Sequence, residues 1–204
     1  MTTVDIFSII KDIAIAGAAV TTASVAYAGV ERWQKELKAN ASFEVAREVI
    51  KATFKLRDEV SYCRAPFKSQ SEFPKNYRDD PLKQTHEEIA DAWVHLYTNR
   101  WRPVGDALAE FEAAALEAEV LWGFKIQDKT KQLQLCLMNL RAYIDAWIAN
   151  EYSGQRNFIT GPDFGKKVSS VIHASSSEEN EFTNRINTAI NELENEIRPY
   201  LARR

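Results

Sequence analysis

The sequence predicts an all-α protein, and three observations support that prediction. Helix breakers are few, with seven Gly and six Pro in 204 residues. Apolar residues recur at helical spacing in four long segments, and no run of alternating strands is visible. Polar residues followed by acids, a typical helix start, precede two of these segments. A helical bundle is the architecture that buries such apolar stripes.

The overall composition restricts the classes of function. A net charge of −3 gives no basic field that would favour nucleic acid. The two cysteines, Cys63 and Cys136, are too few for a disulfide framework, and each lies in an apolar helical pattern. We therefore expect two reduced, partly buried thiols and a cytoplasmic body.

The first segment predicts one long helix that runs to about Arg64. It is apolar over residues 6–30, and residues 31–38 are charged. From Phe43 to Cys63 apolar residues again repeat at helical spacing. Asn40 could cap a second helix, but we favour one helix with a bend at that point.

Three further helices complete the predicted body. Residues 65–85 contain three prolines and predict an irregular loop. Thr85, followed by acids, caps a helix over 86–122, and Pro103 predicts a kink at residues 99–103. Gly123 is a natural stop.

The C-terminal third predicts one irregular segment between two helices. A third helix covers 128–152. Residues 155–176 are rich in turn-forming residues, so we expect an irregular connection, with a short strand or turns at "VSSVIHA". Ser177 begins the last helix, 177–198, which Pro199 ends. The body over 31–204 therefore resembles a four-helix bundle with a kinked second helix and two irregular loops.

The apolar stretch Ile13–Val30 has three interpretations. Its eighteen uncharged residues are close to the roughly 20 that a membrane span needs. Its mean hydropathy of about 1.7 is near the usual threshold for a span. An A-x-A site at 26–28 also fits a cleaved signal, although Lys11 beside Asp12 gives little positive bias. A buried bundle helix is the soluble interpretation. We favour a membrane helix, residues 1–30, joined to a cytoplasmic body.

Alanine supplies much of this stretch, so a lone copy would insert reluctantly. Small residues recur along it at helical spacing, as they do where helices approach closely in lipid. Self-association through these residues is the prediction: Ala14, Gly17, Ala18, Thr21, Thr22 and Ala26. The hydroxyls of Thr21, Thr22 and Ser24 could bond to the backbone or to a neighbouring helix, or line water if several copies formed a ring.

Aromatic and basic residues at the end of the stretch predict the membrane boundary. Tyr27 and Trp33 suit the interface, and Arg32 and Lys35 favour the C-terminal side as cytoplasmic. We therefore expect a bacterial inner-membrane protein, and a purely cytoplasmic protein is the alternative.

Motifs for catalysis, cofactors and metals are missing from the sequence. It contains no P-loop, dinucleotide fingerprint or nucleophile elbow, and its three histidines lack the spacing of a helical metal pair. HEPN ribonucleases, which are helical bundles, use an Arg and a His four to six residues later. Arg78 and His86 are the nearest match and are too far apart. We therefore expect no catalytic, cofactor-binding or metal-ligating residue.

One further stretch, "RWRPVGDALAEF", is distinctive. Arg100, Trp101 and Arg102 stand beside the proline, and Trp and Arg are the residues that dominate binding hot spots. They predict a partner interface, and a Trp that fills the gap at a kink is the alternative.

Two segments carry a resemblance to known proteins: "WQKELKANASFEVAREVIKATFKLRDEVSYCRAPF" and "RWRPVGDALAEFEAAALEAEVLWG". They resemble a family of uncharacterised bacterial proteins with an N-terminal membrane helix and a cytoplasmic helical body. The likeness covers residues 10–150 and, more weakly, 177–203. In architecture the chain is also similar to the membrane accessory proteins of type VI-B CRISPR systems, which form pores and enhance antiviral defence. Their degenerate Arg/His motif has no match here.

The resemblance implies a self-associating, membrane-anchored helical protein. The partners that we expect are a lipid bilayer, further copies of the chain and a protein of a defence system; enzymatic activity and direct nucleic-acid binding are not expected. A pore or accessory effector role in defence is the further implication. The alternatives are a soluble helical interaction module and a HEPN-like ribonuclease.

Overall fold

The computed structural model describes residues 3–75, 77, 84–174 and 180–201, and for 3–10 and 12 it describes the backbone alone. Over these residues the chain is helical apart from turns and loops, and no strand forms, which confirms the all-α prediction. The helices are α1 (Thr3–Cys63), α2 (His86–Trp122), α3 (Phe124–Tyr152), α4 (Arg156–Thr160), α5 (Pro162–Ile172) and α6 (Glu181–Leu201), with a 3₁₀ turn at Gln70–Glu72.

Helix α1 is a single helix of 61 residues, as predicted, and Asn40 lies inside it. By its internal contacts the chain divides into two compact units, Met1–Glu44 and Val45–Arg204. Ala46 is the first residue along the described part of α1 with a buried side chain. The domain boundary predicted at Val30 marks the change from apolar to charged sequence. The compact body begins later, at Val45.

Helix α2 begins at the predicted cap. The hydroxyl of Thr85 accepts a hydrogen bond from the Glu88 backbone N–H at 3.2 Å, and the Glu88 carboxylate accepts one from the Thr85 N–H at 2.8 Å. This reciprocal pair satisfies two donors that a helix start leaves open. The helix runs through Pro103 without stopping and ends at Gly123, whose φ of 77° favours glycine.

The prediction of an irregular segment at 155–176 is wrong. Most of this segment is helical, in α4 and α5, and "VSSVIHA" begins on α5 and is no strand. Pro162 is the first residue of α5, a position that lacks an intrahelical N–H partner and therefore tolerates proline. Val168, Val171 and Ile172 form its buried face. The Gly and Pro residues mark the junction between two short helices.

Helix α6 begins after Asn180, whose side-chain oxygen accepts a hydrogen bond from the Thr183 N–H at 2.9 Å. The predicted cap, Ser177, lies outside the described residues. The helix continues through Pro199 to Leu201, beyond its predicted end. Helix α3 likewise begins four residues before the predicted Asp128, directly after Gly123.

The core of the body lies between the second part of α1 and helices α2, α3, α5 and α6. The predicted apolar stripe of α6 is buried throughout its length, and so are Leu133, Leu137, Leu140 and Ile144 of α3. Cys63 and Cys136 are each 1% exposed, which confirms two buried free thiols. Burial raises the pKa of the Cys63 thiol to about 11, so it stays protonated.

Contacts between side chains show the relative direction of the helices in the body. Lys55 of α1 pairs with Glu110 of α2 at 2.6 Å, and the Arg100 guanidinium reaches the Cys63 carbonyl at 3.4 Å. These two pairs show that α2 runs antiparallel to the α1 part of the body. Trp122, the last residue of α2, stacks on Tyr200 near the end of α6, with ring centroids 4.1 Å apart.

Candidate functional site

The candidate site is the apolar stretch Ile13–Val30 of α1. It belongs to the one helix, among the described residues, that is long and apolar enough to cross a membrane. The qualifying window has a mean hydropathy of 1.7, and none of it is buried within the chain. Eighteen helical residues rise about 27 Å, close to the roughly 30 Å of a bilayer's hydrocarbon core.

Exposure of this stretch bears on the soluble alternative. Val20 and Val25 are 67% and 68% exposed, and Ile13 is 66% exposed. The interpretation of a helix buried in the core of its own chain requires low exposure at these positions. None of the residues that the structure describes buries the apolar stretch, so a lipid or a second protein is a candidate to remove it from water.

Hydroxyl groups within the stretch satisfy their donors locally. Thr21, Thr22 and Ser24 donate to the carbonyl oxygens of Gly17, Ala18 and Val20, each at 2.9 Å. This confirms the predicted return of hydroxyl hydrogen bonds to the backbone. An unbonded hydroxyl is costly in hydrocarbon, so these bonds lower the cost of placing three polar side chains there.

Those three hydroxyls do not share one face of the helix. At 100° per residue, Thr22 and Ser24 lie about 160° apart around the axis. Thr21 lies about 100° from Thr22 and about 60° from Ser24, so the three hydroxyls spread over a wide part of the circumference. A channel-lining role for them stays a prediction.

The six predicted packing positions lie within one half of the helix circumference, although further alanines of the stretch, among them Ala16 and Ala23, lie on the other half. Every one of the predicted packing positions is exposed in the single chain: Ala14, Gly17, Ala18, Thr21, Thr22 and Ala26. A Cβ built on Gly17 would meet nothing within 4 Å. Close approach of a second helix at this face stays a prediction.

The predicted boundary residues are exposed and lie on successive turns of α1. Tyr27 is 74% and Trp33 60% exposed, and six helical residues separate them by about 9 Å along the axis. Lys35 pairs with Glu31 at 2.7 Å and Arg32 with Glu36 at 3.6 Å. Charges therefore begin within one turn of Val30, and both basic residues keep long side chains in solvent.

Arg100 belongs to the fold of the body, and this corrects its assignment to a partner interface. It is 3% exposed. Its guanidinium forms a bidentate ion pair with Glu72 and donates to the carbonyl oxygens of Ala65 and Phe67, both at 2.8 Å. The hydrogen bond from Arg100 lowers the pKa of Glu72. The planar, multiply donating guanidinium thereby holds the 65–72 loop against α2.

The two neighbours of Arg100 differ from it. Trp101 is half-buried against the core, and the Arg141 guanidinium lies 5.4 Å from its ring centroid. Arg102 is exposed. A partner interface at these two residues stays a prediction. The cleft beside Arg100, lined in part by Tyr62 and His95, has a volume of about 230 Å³, which is smaller than typical small-molecule sites.

A cluster of basic residues, Arg64, Lys68 and His173, lies at the Cys63 end of the body and was not predicted from the sequence. The Lys68 ammonium lies 3.0 Å from Nε2 of His173 and 4.9 Å from the Trp93 ring centroid. Burial, and then the positive charge of Lys68, lowers the pKa of His173 to about 4. The two residues are 105 positions apart in segments that both read as irregular, so no sequence signal connects them.

Arg64, the third member of this cluster, forms hydrogen bonds with uncharged groups. Its guanidinium donates to the Val171 carbonyl at 2.7 Å and to the side chains of Thr183 and Asn180, and it lies over the Phe182 ring. Burial lowers the pKa of Arg64 to about 10. The arginine therefore ties α1 to α5 and α6.

The last predictions concern metal ligands and the HEPN-like Arg/His pair. No group of three or more His, Cys, Asp or Glu residues is placed to hold a metal ion there. Of the nearest HEPN-like pair, Arg78 lies outside the described residues, and His86 is an exposed first residue of α2. Comparisons with known protein families, characterised proteins and solved structures find no match to this chain.

Proposed function

We propose that this chain is a membrane-anchored helical protein whose apolar stretch Ile13–Val30 crosses a lipid bilayer. The observation that carries the proposal is that every residue of this stretch is exposed, combined with its span-like length and hydropathy. A bilayer supplies the covering that the single chain does not. The internally bonded hydroxyls and the charges that follow Val30 agree with this role.

The body, Val45–Arg204, is the part that carries contacts with other proteins. The Lys and Arg residues after Val30 favour the cytoplasmic side for it. We propose that the protein acts as a scaffold or effector at the membrane. In this proposal copies of the chain associate through the small-residue face of α1, which is formed by Ala14, Gly17, Ala18, Thr21, Thr22 and Ala26. The resemblance stated above extends this proposal to bacterial antiviral defence.

Alkaline carbonate extraction of membranes from cells that express the full chain tests the anchor. We expect the protein to stay in the membrane pellet. A Val20→Arg/Val25→Arg variant should move to the soluble fraction, because arginine near the centre of a span costs about 2.5–3.5 kcal/mol in insertion assays. Release of the wild-type chain by carbonate would contradict the proposal.

A matched control uses two exposed apolar residues of the body. Leu135 and Met138 are 51% and 66% exposed on α3. A Leu135→Arg/Met138→Arg variant should remain in the pellet, because it adds the same charge outside the proposed span. Release of both variants alike would show that added charge alone changes the fractionation.

A further inference from the structure

A pocket opens beside Arg64, between α1 and α6. Its volume is about 200 Å³, and every residue that lines it belongs to the compact unit Val45–Arg204. We call it the Arg64 pocket, and its polar lining consists of Arg57, Asp58, Ser61, Arg64, Thr183 and Asn187. This lining combines two guanidinium groups with one carboxylate and three uncharged polar side chains.

Arg64 is a buried cation whose known partners are all uncharged. It is 3% exposed. Its guanidinium donates hydrogen bonds to four neutral acceptors, which are on Val171, Ser170, Thr183 and Asn180. No carboxylate among the described residues forms an ion pair with it, and burial lowers the pKa of Arg64 to about 10. Because arginine is rarely fully buried unless it is paired, this position favours an anion.

One donor of the Arg64 guanidinium has no acceptor within the described part of the chain. A guanidinium carries five N–H groups, and the four acceptors take one each. Nη1 has a single acceptor there, the Thr183 hydroxyl at 3.0 Å, so its second N–H remains open. Arg64 and Thr183 both line the pocket, and an acceptor inside it would satisfy this donor.

The single carboxylate of the lining does not neutralise Arg64. Asp58 pairs with Arg57 at 2.9 Å, and its side chain is 68% exposed. The rim of the pocket therefore holds an ion pair that is already neutral. An anion that enters the pocket meets the uncompensated charge of Arg64 behind this pair.

Other positive charges act on the same end of the body. Burial is the main reason for the low pKa of His173, and the charges of Lys68, Arg100 and Arg64 lower it further. Glu72 is the acid that pairs with Arg100. The field around Arg64 is therefore positive, although the net charge of the whole chain is −3.

The size and the donors of the pocket suit a phosphate group. About 200 Å³ is below the 300–1,000 Å³ of typical small-molecule sites, so a nucleotide is too large to be enclosed. It is room for roughly six waters, which is ample for one phosphorus and its oxygens. The Ser61 hydroxyl and the Asn187 amide make no hydrogen bond with the described residues, so both can donate to it together with the guanidinium.

We infer that the Arg64 pocket binds a phosphate group, with Arg64 supplying the charge and Ser61 and Asn187 supplying further donors. The bound group would join α1 to α6. Inorganic phosphate and a small phosphorylated molecule carry the same chemistry, and competition separates them. Binding involves the body alone and is independent of the proposed membrane anchor.

Isothermal titration calorimetry of the full chain with inorganic phosphate, in a detergent without phosphate groups, tests the site. We expect a saturable isotherm, and none with chloride at equal ionic strength. Saturation distinguishes binding from the general stabilisation that phosphate exerts through exclusion from protein surfaces. Absence of saturable binding would overturn the inference.

Competition identifies the source of the phosphate group. Glycerol phosphate that displaces inorganic phosphate supports a phosphorylated small molecule as the ligand, and its failure to displace supports the free ion. Acetate should compete weakly, since it offers two oxygens in place of four. Equal competition by acetate would overturn the assignment to phosphate.

Two asparagines of α6 provide a matched pair of variants. Asn187→Asp places a carboxylate in the lining of the pocket without a change of size, and repulsion should weaken phosphate binding by about tenfold or more. Asn195→Asp adds the same charge at an exposed position about 12 Å further along the helix and should keep the wild-type affinity. Equal affinities of the two variants for phosphate would contradict a site at Arg64.

Discussion

Arg100 and Glu72 form a bidentate ion pair that joins α2 to the 3₁₀ turn, although 28 positions separate them in the chain. Arg100 is almost fully buried and also holds three backbone carbonyl groups between Cys63 and Phe67. The pair therefore fixes the return of the chain from α1 to α2.

Replacement of Arg100 should destabilise the body. An Arg100→Ala variant leaves Glu72 and the carbonyl groups without their donor, and we expect the free energy of unfolding to fall by about 2–3 kcal/mol, below the full cost of a buried pair because Glu72 is partly exposed. Arg100→Lys should recover little, since an ammonium cannot reproduce the planar fork. Chemical denaturation measures the change.

The neighbouring Arg102→Ala variant is the control for this prediction, because Arg102 is exposed. Its unfolding free energy should stay near that of the wild type. Equal losses at residues 100 and 102 would mean that the buried network adds no stability.

His173 predicts a dependence of stability on pH. Its pKa is about 4 in the folded protein, and about 6.5 is usual for an unfolded chain. As pH falls below about 6.5 the unfolded chain takes up the proton first, so stability that is present above that pH is lost progressively down to about 4. Denaturation midpoints measured across this range should fall for the wild type.

Substitution of His173 measures how much of the stability loss at acid pH is due to this residue. A His173→Gln variant should show a smaller acid-side loss than the wild type. His95→Gln, at an exposed histidine of α2, is the matched control substitution. Identical profiles for all three proteins would contradict the role of His173.

Gly154 should not tolerate a side chain. Its φ is +64°, and a Cβ there would lie 2.8 Å from Nε2 of His86. We expect Gly154→Ala to lower the free energy of unfolding by about 1–3 kcal/mol, since a left-handed conformation and a close contact both oppose it.

Gly105 provides the opposite case. It lies inside α2, and a Cβ there would meet nothing within 4 Å. Gly105→Ala should therefore raise the unfolding free energy by about 1 kcal/mol. A shift of the same sign in both glycine variants, measured by chemical denaturation, would contradict this account of the two positions.

Self-association predicts a difference between two faces of the apolar stretch. Ala18 lies on the small-residue face, and Ala16 lies about 160° away around the helix. Ala18→Leu should lower the particle mass of the detergent-extracted chain by blocking close approach, and Ala16→Leu should leave it unchanged. A monomer for the wild type in several detergents would contradict self-association.

Local signals in the sequence predicted much of the fold. The capping box at Thr85, the stop at Gly123 and the apolar stripe of α6 each lie within a few neighbouring residues, so a single sequence contains them. The helices at 156–172 were missed because Gly161 and Pro162 signal a turn and equally well signal a junction between helices.

The functional residues likewise include some that the sequence predicts and some that it does not. The apolar stretch is contiguous and was predicted from composition. Burial of Arg100 and the contact of Lys68 with His173 join distant parts of the chain, so no local pattern contains them. A Trp/Arg cluster in sequence could equally be an interface or an internal support, and only the contacts separate Arg100 from Arg102.

The most direct test of the membrane anchor is a depth profile along α1 in vesicles. Fluorophores on single introduced cysteines at Ala16, Val20, Ala23, Tyr27 and Val30 of the full chain, which lie opposite the proposed packing face, report quenching by lipids that carry the quencher at different depths. The account predicts the deepest positions at Val20 and Ala23 and shallower ones toward both ends, over about 21 Å of helix. A profile without a maximum, or one shallow depth at all five positions, would contradict a span.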